Sequence, residues 1–185
     1  MPKTKKMPNR AVFLDRDGTI NEDLGYICNP NDVRLLPGSA EAIRSLNQAG
    51  WLVVLVSNQS GIGRGLFDEA ALTSIQERLN HELAQTGAHI DATFYCPHAP
   101  GDNCRCRKPN PGLLKRAASD FGIDLCRSWM VGDKVADVEA GRRAGCRTAL
   151  VLTGHGEAEA TQIDPPSVVA PNLLAIVQQI LQERA

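Results

Sequence analysis

The sequence has no long apolar run. No stretch approaches the roughly 18 consecutive apolar residues that a membrane-spanning helix needs, so we expect no membrane partner. The basic residues 1–10 are not followed by an apolar segment of signal-peptide length, and we interpret them as a solvated tail. Internal repeats, low-complexity tracts and an inter-domain linker are also missing, which favours one domain over residues 1–185.

The sequence also has little excess charge. Its formal net charge is -1, which gives no basic surface for nucleic acid, although a local cluster of cations could still bind a small phosphorylated ligand. With 43% hydrophobic and 22% charged residues, the composition is that of a soluble globular protein. Six cysteines without a secretory signal favour reduced thiols or metal ligands, and therefore a cytoplasmic location.

Short apolar segments alternate with amphipathic ones along the chain. We predict strands at 11–14, 51–56, 92–95, 129–131 and 148–152, with a short edge strand at 168–169. Helices are predicted at 39–49, capped by Ser39, then after the cap Asp68, and at 113–121, 137–144 and 173–181. Segments 21–37 and 154–166 are predicted loops. This alternation predicts an α/β fold of three layers, a Rossmann-like parallel sheet with helices on both faces.

Polar residues follow three of the predicted strands. Asp15 and Asp17 come after the first strand, Ser57 after the second, and Asp133 after the fourth. An Asp-Gly pair such as Asp17-Gly18 is also an ordinary turn signal, but ligands of open α/β sheets bind beyond the carboxyl ends of the strands. Asp15 and Asp133 are suited to bind Mg²⁺, which prefers a few oxygen ligands and a shared substrate phosphate. Ser57 and Lys108 would then hold the remaining phosphoryl oxygens.

A second candidate metal site lies in the segment 96–106. Cys96, His98, Cys104 and Cys106 can close a tetrahedral shell around Zn²⁺, which leaves no open position for catalysis. We therefore predict a small zinc-binding loop with a structural metal, with a local disulfide or free thiols as the alternatives. Arg107 and Lys108 follow the last ligand directly, so the metal would fix the backbone that carries them.

Four segments together resemble the successive motifs of the haloacid dehalogenase superfamily of aspartate-nucleophile phosphatases: FLDRDGTI, SNQSG, RKPNPG and GDKVAD. The resemblance implies that Asp15 attacks phosphorus and that Asp17 acts as general acid and base. It also implies that Asp15, the backbone carbonyl of Asp17 and Asp133 bind Mg²⁺, and that Asp137 either supports this metal or is a helix-face residue. Ser57 and Lys108 would stabilise the transferring group. The short spacing between the motifs leaves no room for a large cap domain.

The zinc loop resembles two groups in that superfamily, the D-glycero-D-manno-heptose 1,7-bisphosphate phosphatases and the histidinol-phosphate phosphatases. Ser60 and Gly132-Asp133-Lys134 are similar to the heptose group. By that resemblance the following residues would contact a sugar bisphosphate: Asp23, Leu24, Gly25, Tyr26, Ser57, Asn58, Gln59, Ser60, Arg107, Lys108 and Lys134. We therefore expect a monomeric phosphatase of a small phosphorylated sugar, which removes the 7-phosphate in nucleotide-heptose synthesis. Histidinol-phosphate hydrolysis and a zinc-stabilised binding module without catalysis are the alternatives.

Overall fold

A computed structural model describes residues 9–162 and 164–183. Six strands of this part of the chain form one sheet, in which every neighbouring pair is parallel, in the order β3-β2-β1-β4-β5-β6. The strands are β1 (Ala11–Leu14), β2 (Leu52–Asn58), β3 (Ala92–Cys96), β4 (Trp129–Gly132), β5 (Arg147–Val151) and β6 (Val168–Ala170). All six predicted strands are confirmed: β1 has the predicted bounds, and the other five differ at one or both ends.

The central strands form because their residues are apolar without interruption. All four residues of β1 and all four of β4 are buried, as a strand covered on both faces requires. β1 lies between β2 and β4, with Phe13 opposite Val54 on one side and Met130 on the other. The carboxyl end of β1, which leads into Asp15, therefore lies near the middle of the sheet.

Helices cover both faces of the sheet. The helices are α1 (Ser39–Gln48), α2 (Ser60–Gly63), α3 (Glu69–Ala84), α4 (Gly112–Phe121), α5 (Val135–Ala144), α6 (Gly156–Glu159) and α7 (Leu173–Gln182). One buried apolar cluster includes Leu14 with Ile43 of α1, Leu79 of α3 and Ile176 of α7. The other includes Phe13 with residues of α4 and α5. Adjacent residues of β1 thus pack on opposite faces, and the predicted three-layer architecture is confirmed.

Several local predictions need correction. Gly38, not Ser39, is the N-cap of α1, and Ser39 is the first residue of that helix. Asp68 does cap α3, where its side chain accepts a hydrogen bond from Ala71 N. The short helix α6 lies in the segment 154–166 that was predicted as a loop, and the short helix α2 was not among the predicted helices. β2 continues through Ser57 and Asn58, so these residues belong to the strand and do not follow it.

The ends of the described chain bear on two further predictions. Asn9 and Arg10 do not belong to a solvated tail: Asn9 pairs with Ile123, and Arg10 Nη2 donates to Ala49 O. The rest of that prediction, residues 1–8, lies outside the described residues. Within 9–162 and 164–183 no large domain is inserted between the elements of the sheet. None of the described helices has the length and hydropathy to cross a membrane.

Candidate active site

Lys108 lies at the centre of the polar residues beyond the sheet. Its ammonium donates to Asp15 Oδ1 and to the carbonyl of Val56, each at 2.7 Å, and lies 2.6 Å from Asp137 Oδ1. Burial disfavours charge on this amine, but the carboxylates of Asp137 and Asp15 outweigh it and raise the pKa of Lys108. The structure thus places the Lys108 ammonium in contact with the carboxylate of Asp15.

Asn58 fixes the backbone that carries Lys108. Its Oδ1 accepts a hydrogen bond from Lys108 N at 3.0 Å, and its Nδ2 donates to Lys108 O at 3.1 Å. Asn58 is the last residue of β2. These two bonds therefore attach Lys108, which follows the cysteine loop (residues 96–106) by two residues, directly to the sheet. The side chain predicted to contact substrate is therefore also a support for Lys108.

Asp133 is the most enclosed carboxylate of the site, with no exposed surface. Its Oδ2 accepts a hydrogen bond from His155 N at 2.9 Å, while its buried Oδ1 has no hydrogen-bond partner among the described residues. Burial and the nearby Asp15 carboxylate raise the pKa of Asp133 to about 8. Gly18 leaves room for this side chain: its φ is 84°, and a Cβ there would lie 2.3 Å from Asp133 Oδ2.

These carboxylates fit a divalent cation. Oxygens of Asp15, Asp133 and Asp137 lie within 4.8 Å of one another. Both oxygens of Asp137 are already engaged, Oδ1 with the Lys108 ammonium and Oδ2 as acceptor from Lys134 N. The unpartnered Oδ1 of Asp133 and the carboxylate of Asp15 are therefore the better side-chain ligands, and a cation between them would offset the cost of two buried negative charges.

Asp17 is held by three neighbours. Arg16 contacts both carboxylate oxygens, Asn21 Nδ2 donates to Oδ1 at 2.9 Å, and Gln59 Nε2 donates to Oδ2 at 3.2 Å. Gln59 Nε2 also donates to Ser57 Oγ at 2.7 Å. Gln59, which the sequence predicted as a substrate contact, thus links Ser57 to Asp17.

Most of the predicted site residues line one cavity of about 340 Å³. Leu24, Gln59 and Asp133 do not line it, and Asp133 has no exposed surface. The lining residues that the sequence predicted are Asp15, Asp17, Asp23, Gly25, Tyr26, Ser57, Asn58, Ser60, Arg107, Lys108, Lys134 and Asp137. Residues from the ends of β1 and β2, from the segment after β4 and from the loops at 21–37 and 96–108 therefore meet at a single place.

The rim of the cavity carries a charged pair. Lys134 Nζ lies 2.9 Å from Asp23 Oδ2. Burial would raise the pKa of Asp23, but the hydrogen bonds from Lys134 and from Gly25 N lower it. Burial also opposes charge on Lys134, and the carboxylates of Asp133 and Asp15 raise its pKa nevertheless. The rim thus presents an ammonium and a carboxylate side by side.

Sequence reasoning missed the residues that follow β5. Thr153 Oγ1 donates to Gly18 O at 2.6 Å, and His155 lines the cavity with its ring 3.3 Å from Asp23 Oδ2. His155 falls within the predicted loop 154–166, and Thr153 lies between that loop and the predicted strand 148–152. They follow directly on a predicted strand, so the rule that led to Asp15, Ser57 and Asp133 would also have indicated them. Asn21 carried no such signal.

The four predicted zinc ligands lie together in the segment 96–106. The sulfurs of Cys96, Cys104 and Cys106 are 3.2–3.5 Å apart, and His98 Nδ1 lies 3.4 Å from Cys96 Sγ and 3.3 Å from Cys106 Sγ. A disulfide needs its sulfurs about 2.05 Å apart, and these cysteines are free thiols. Four donors at such spacings surround a centre close enough to each for zinc ligation at about 2.0–2.3 Å.

Known proteins are similar to this chain in sequence. The HAD-hydrolase-like family model matches residues 105–176. D-glycero-beta-D-manno-heptose-1,7-bisphosphate 7-phosphatases of Bordetella bronchiseptica and Pseudomonas aeruginosa are 44% and 40% identical, covering 94% and 95% of this chain and 99% and 100% of theirs.

Solved structures of heptose 1,7-bisphosphate phosphatases are also similar to this chain. The crystal structure of D,D-heptose 1,7-bisphosphate phosphatase from B. bronchiseptica, complexed with magnesium and phosphate, matches with a TM-score of 0.89 at 44% identity over 94% of this chain and 99% of that one. The phosphatase from Burkholderia thailandensis gives a TM-score of 0.74 at 36% identity, with coverages of 94% and 99%. The chain therefore belongs to the heptose-1,7-bisphosphate 7-phosphatase family of haloacid dehalogenase-like hydrolases.

Proposed function

We propose that this protein is a Mg²⁺-dependent phosphatase that removes the 7-phosphate of D-glycero-D-manno-heptose 1,7-bisphosphate in nucleotide-heptose biosynthesis, for lipopolysaccharide or another surface glycan. The observation that carries the proposal is the contact between Lys108 Nζ and Asp15 Oδ1, buried at the floor of a cavity whose rim carries further cations. A carboxylate fixed beside a lysine suits attack on a phosphoryl group, because the lysine offsets the charge of the incoming oxygens. The identity of the sugar is inferred from the family to which the chain belongs.

In the first step a carboxylate oxygen of Asp15 forms a bond to phosphorus as the bond to the sugar oxygen breaks. The leaving oxygen takes a proton from Asp17, which lines the same cavity. The ammonium of Lys108 and the hydroxyl of Ser57 donate to the equatorial oxygens of the transferring group. Mg²⁺, held by Asp15, the backbone carbonyl of Asp17 and Asp133, would supply charge neutralisation of the phosphate.

The second step restores Asp15. Asp17, now ionised, takes a proton from a water molecule, whose oxygen attacks phosphorus and displaces the Asp15 carboxylate, so that inorganic phosphate leaves. The cycle therefore splits one displacement into two, and Asp17 serves as acid in the first and base in the second. Asp137 acts in both steps through Lys108, whose ammonium it holds at 2.6 Å.

Specificity comes from the short loops around the cavity. Arg107 and Lys134 would bind the phosphate that is not cleaved, since both are cavity-lining cations. Asp23 and Tyr26 would contact sugar hydroxyls from the loop after β1. Within residues 9–162 and 164–183 these groups surround one sheet without a large inserted domain, which supports a single catalytic domain over 1–185. We infer that the enzyme is a monomer.

The cysteine loop would hold a structural Zn²⁺ through Cys96, His98, Cys104 and Cys106. Its role is to keep Arg107 and Lys108 in place, because the last ligand precedes Lys108 by two residues. Burial raises the pKa of Cys96 to about 12, and a bound metal would favour the thiolate instead. Clustered thiols outside a disulfide favour a reducing, cytoplasmic compartment.

The Asp23 carboxylate at the rim favours one second candidate, histidinol phosphate, because an acidic group could bind the ammonium of that substrate. Steady-state kcat/KM on the α and β anomers of heptose 1,7-bisphosphate and on histidinol phosphate, in Mg²⁺, separates the two. We expect one heptose anomer to be preferred over histidinol phosphate by about 100-fold or more, since Arg107 and Lys134 would lack a phosphate partner when the substrate carries only one phosphate. A preference for histidinol phosphate would overturn the proposal.

A further inference from the structure

Arg16 is a buried cation that the mechanism above does not use. Its side chain is 2% exposed. Its Nε lies 3.1 Å from Asp17 Oδ1 and 3.2 Å from Oδ2, and its Nη2 donates to Oδ2 at 2.9 Å. A guanidinium keeps its proton at all accessible pH values and presents its donors in a rigid fork. Arg16 is therefore a fixed positive charge in contact with both oxygens of Asp17.

The backbone explains how two consecutive side chains can meet. After β1 the carbonyl of Arg16 accepts hydrogen bonds from the backbone N–H groups of Thr19, Ile20 and Asn21, at 3.3, 2.9 and 3.2 Å. The chain thus curls around Arg16. In an extended strand neighbouring side chains point to opposite faces. In this turn the side chains of Arg16 and Asp17 instead contact each other.

Gln59 and Asn21 complete the enclosure of Asp17. Gln59 Oε1 accepts from Arg16 Nη2 at 3.3 Å, while its Nε2 donates to Asp17 Oδ2 at 3.2 Å. Asn21 Nδ2 donates to Asp17 Oδ1 at 2.9 Å. Because each oxygen of the carboxylate has donors from two directions, the plane and the direction of the Asp17 side chain are fixed.

Arg16 reaches Asp17 from the side away from the substrate. Asp17 lines the active-site cavity, whereas Arg16 lines a second cavity of about 220 Å³, between β2, β3 and α3, to which Gln59 also contributes. Arg16 Nη1 is buried and has no hydrogen-bond partner among the described residues. Among the described residues, the side chain therefore contacts the catalytic groups directly at Asp17, and it reaches Ser57 only indirectly, through Gln59.

We propose that Arg16 is a positioning residue for proton transfer: it holds Asp17 in the orientation from which that carboxyl protonates the leaving sugar oxygen. The proposal rests on the proposed function, in which Asp17 is the general acid. Proton transfer depends steeply on the distance and direction between the two heavy atoms. Loss of the guanidinium should therefore slow only those substrates whose leaving oxygen needs a proton.

The test compares two leaving groups. The variants Arg16→Gln and Arg16→Lys are assayed with heptose 1,7-bisphosphate, whose alkoxide leaving group needs protonation, and with p-nitrophenyl phosphate, whose phenolate does not. kcat/KM is the readout because it includes the step in which the leaving group departs. For Arg16→Gln we expect a loss of about 100-fold on the sugar phosphate and less than about threefold on the aryl phosphate. Arg16→Lys keeps the positive charge but lacks the paired N–H donors of the guanidinium. We therefore expect kcat/KM to fall on the sugar phosphate and not on the aryl phosphate, by less than in Arg16→Gln.

Equal losses on both substrates, or no loss on either, would overturn the proposal. Arg78→Gln is the matched control, because Arg78 is exposed on α3 and pairs with Glu82; both activities should stay at the wild-type value. Thermal unfolding checks that the variants are folded. If Arg16→Gln does not fold, Arg16→Lys is the variant that is compared with wild type.

Asp17→Asn distinguishes the positioning role of Arg16 from the general-acid role of Asp17. If Asp17→Asn shows the leaving-group dependence and the Arg16 variants do not, this proposal alone fails; if Asp17→Asn lacks it, the acid role in the proposed function fails as well.

Discussion

Single residues of the site are held by side-chain contacts with backbone groups as much as by ion pairs. The Lys108 ammonium contacts the carbonyl of Val56 besides Asp15 and Asp137, and the Lys108 backbone is bound at both its N–H and its C=O by Asn58. A buried ammonium needs such geometry, because its desolvation cost is offset only when every proton has an acceptor. The position of the lysine should therefore depend on Asn58 as strongly as on its charged partners.

We predict that Asn58→Ala lowers kcat by about 10- to 100-fold, because a misplacement of Lys108 by a fraction of an ångström weakens its contact with the transferring phosphoryl group. The free energy of unfolding should fall by about 1–2 kcal/mol for the two lost hydrogen bonds. Steady-state kinetics and denaturant unfolding measure the two effects.

Asn47 provides the matched control for that variant. It makes the same pair of bonds far from the site, accepting from His89 N at 3.0 Å and donating to His89 O at 3.2 Å. Asn47→Ala should cost less stability, since these bonds are exposed, and leave kcat within about twofold of wild type. If Asn58→Ala also kept the wild-type kcat, Asn58 would not position Lys108.

At the residue scale the sequence predicted the groups that follow strands and missed those that support them. Asp15, Asp133 and Lys108 could be found because carboxylates, a lysine and motif spacing mark them. Arg16 and Asn21 could not, since the Asp17-Gly18 pair indicates a turn but does not specify the backbone hydrogen bonds that bring these two side chains to Asp17. Gln59 was found for a different reason, as a substrate contact, whereas the structure places it between Ser57 and Asp17.

Among the elements, the cysteine loop connects β3 to the residues that deliver Lys108. Cys96 ends β3, and Cys104 Sγ accepts a hydrogen bond from Arg107 N at 3.4 Å. Asn110 Nδ2 also donates to Cys104 O at 2.9 Å. The loop contains little regular structure between 97 and 111, so a metal bound by its four donors would supply the order that a helix or strand provides elsewhere.

We predict that Cys104→Ser lowers the zinc content from about one per chain to a small fraction of that, because a serine hydroxyl is a poor zinc ligand. Amide hydrogen exchange across 97–110 should become faster, and kcat should fall as Lys108 loses its support. Elemental analysis and exchange measured by mass spectrometry test both. Cys126→Ser, an exposed cysteine outside the loop, should change neither; unchanged zinc in Cys104→Ser would remove that residue from the ligand set.

The regular elements could be predicted where the apolar pattern is clear, as a continuous apolar run in β1 and a helical repeat in α3 and α7. The helix α2 could not, because Ser60-Gly61-Ile62-Gly63 has poor helix propensity. It forms through tertiary packing: a Cβ on Gly61 would lie 2.1 Å from the Phe67 ring, so only glycine admits that contact. The order of the strands was equally inaccessible, since β1 pairs with β4 more than 100 residues away.

For the molecule as a whole, the position of β1 decides where function lies. The chain leaves β1 toward β2 and β3 on one side and later returns to β4 and β5 on the other. The two halves of the sheet diverge from the end of β1, which creates the crevice in which open α/β sheets bind ligands. One half supplies Ser57 and the cysteine loop; the other supplies Asp133 and the residues after β5. A site assembled in this way requires the whole sheet to be folded.

The central claim is that Asp15 takes the phosphoryl group onto itself. A crystal structure of the protein with Mg²⁺ and beryllium fluoride, a mimic of a covalently bound phosphoryl group, tests it most directly. The account predicts beryllium bonded to a carboxylate oxygen of Asp15, with fluorines within hydrogen-bond distance of Lys108 Nζ and Ser57 Oγ, and the metal on Asp133. Beryllium fluoride bound elsewhere in the cavity, with the Asp15 carboxylate free, would contradict it.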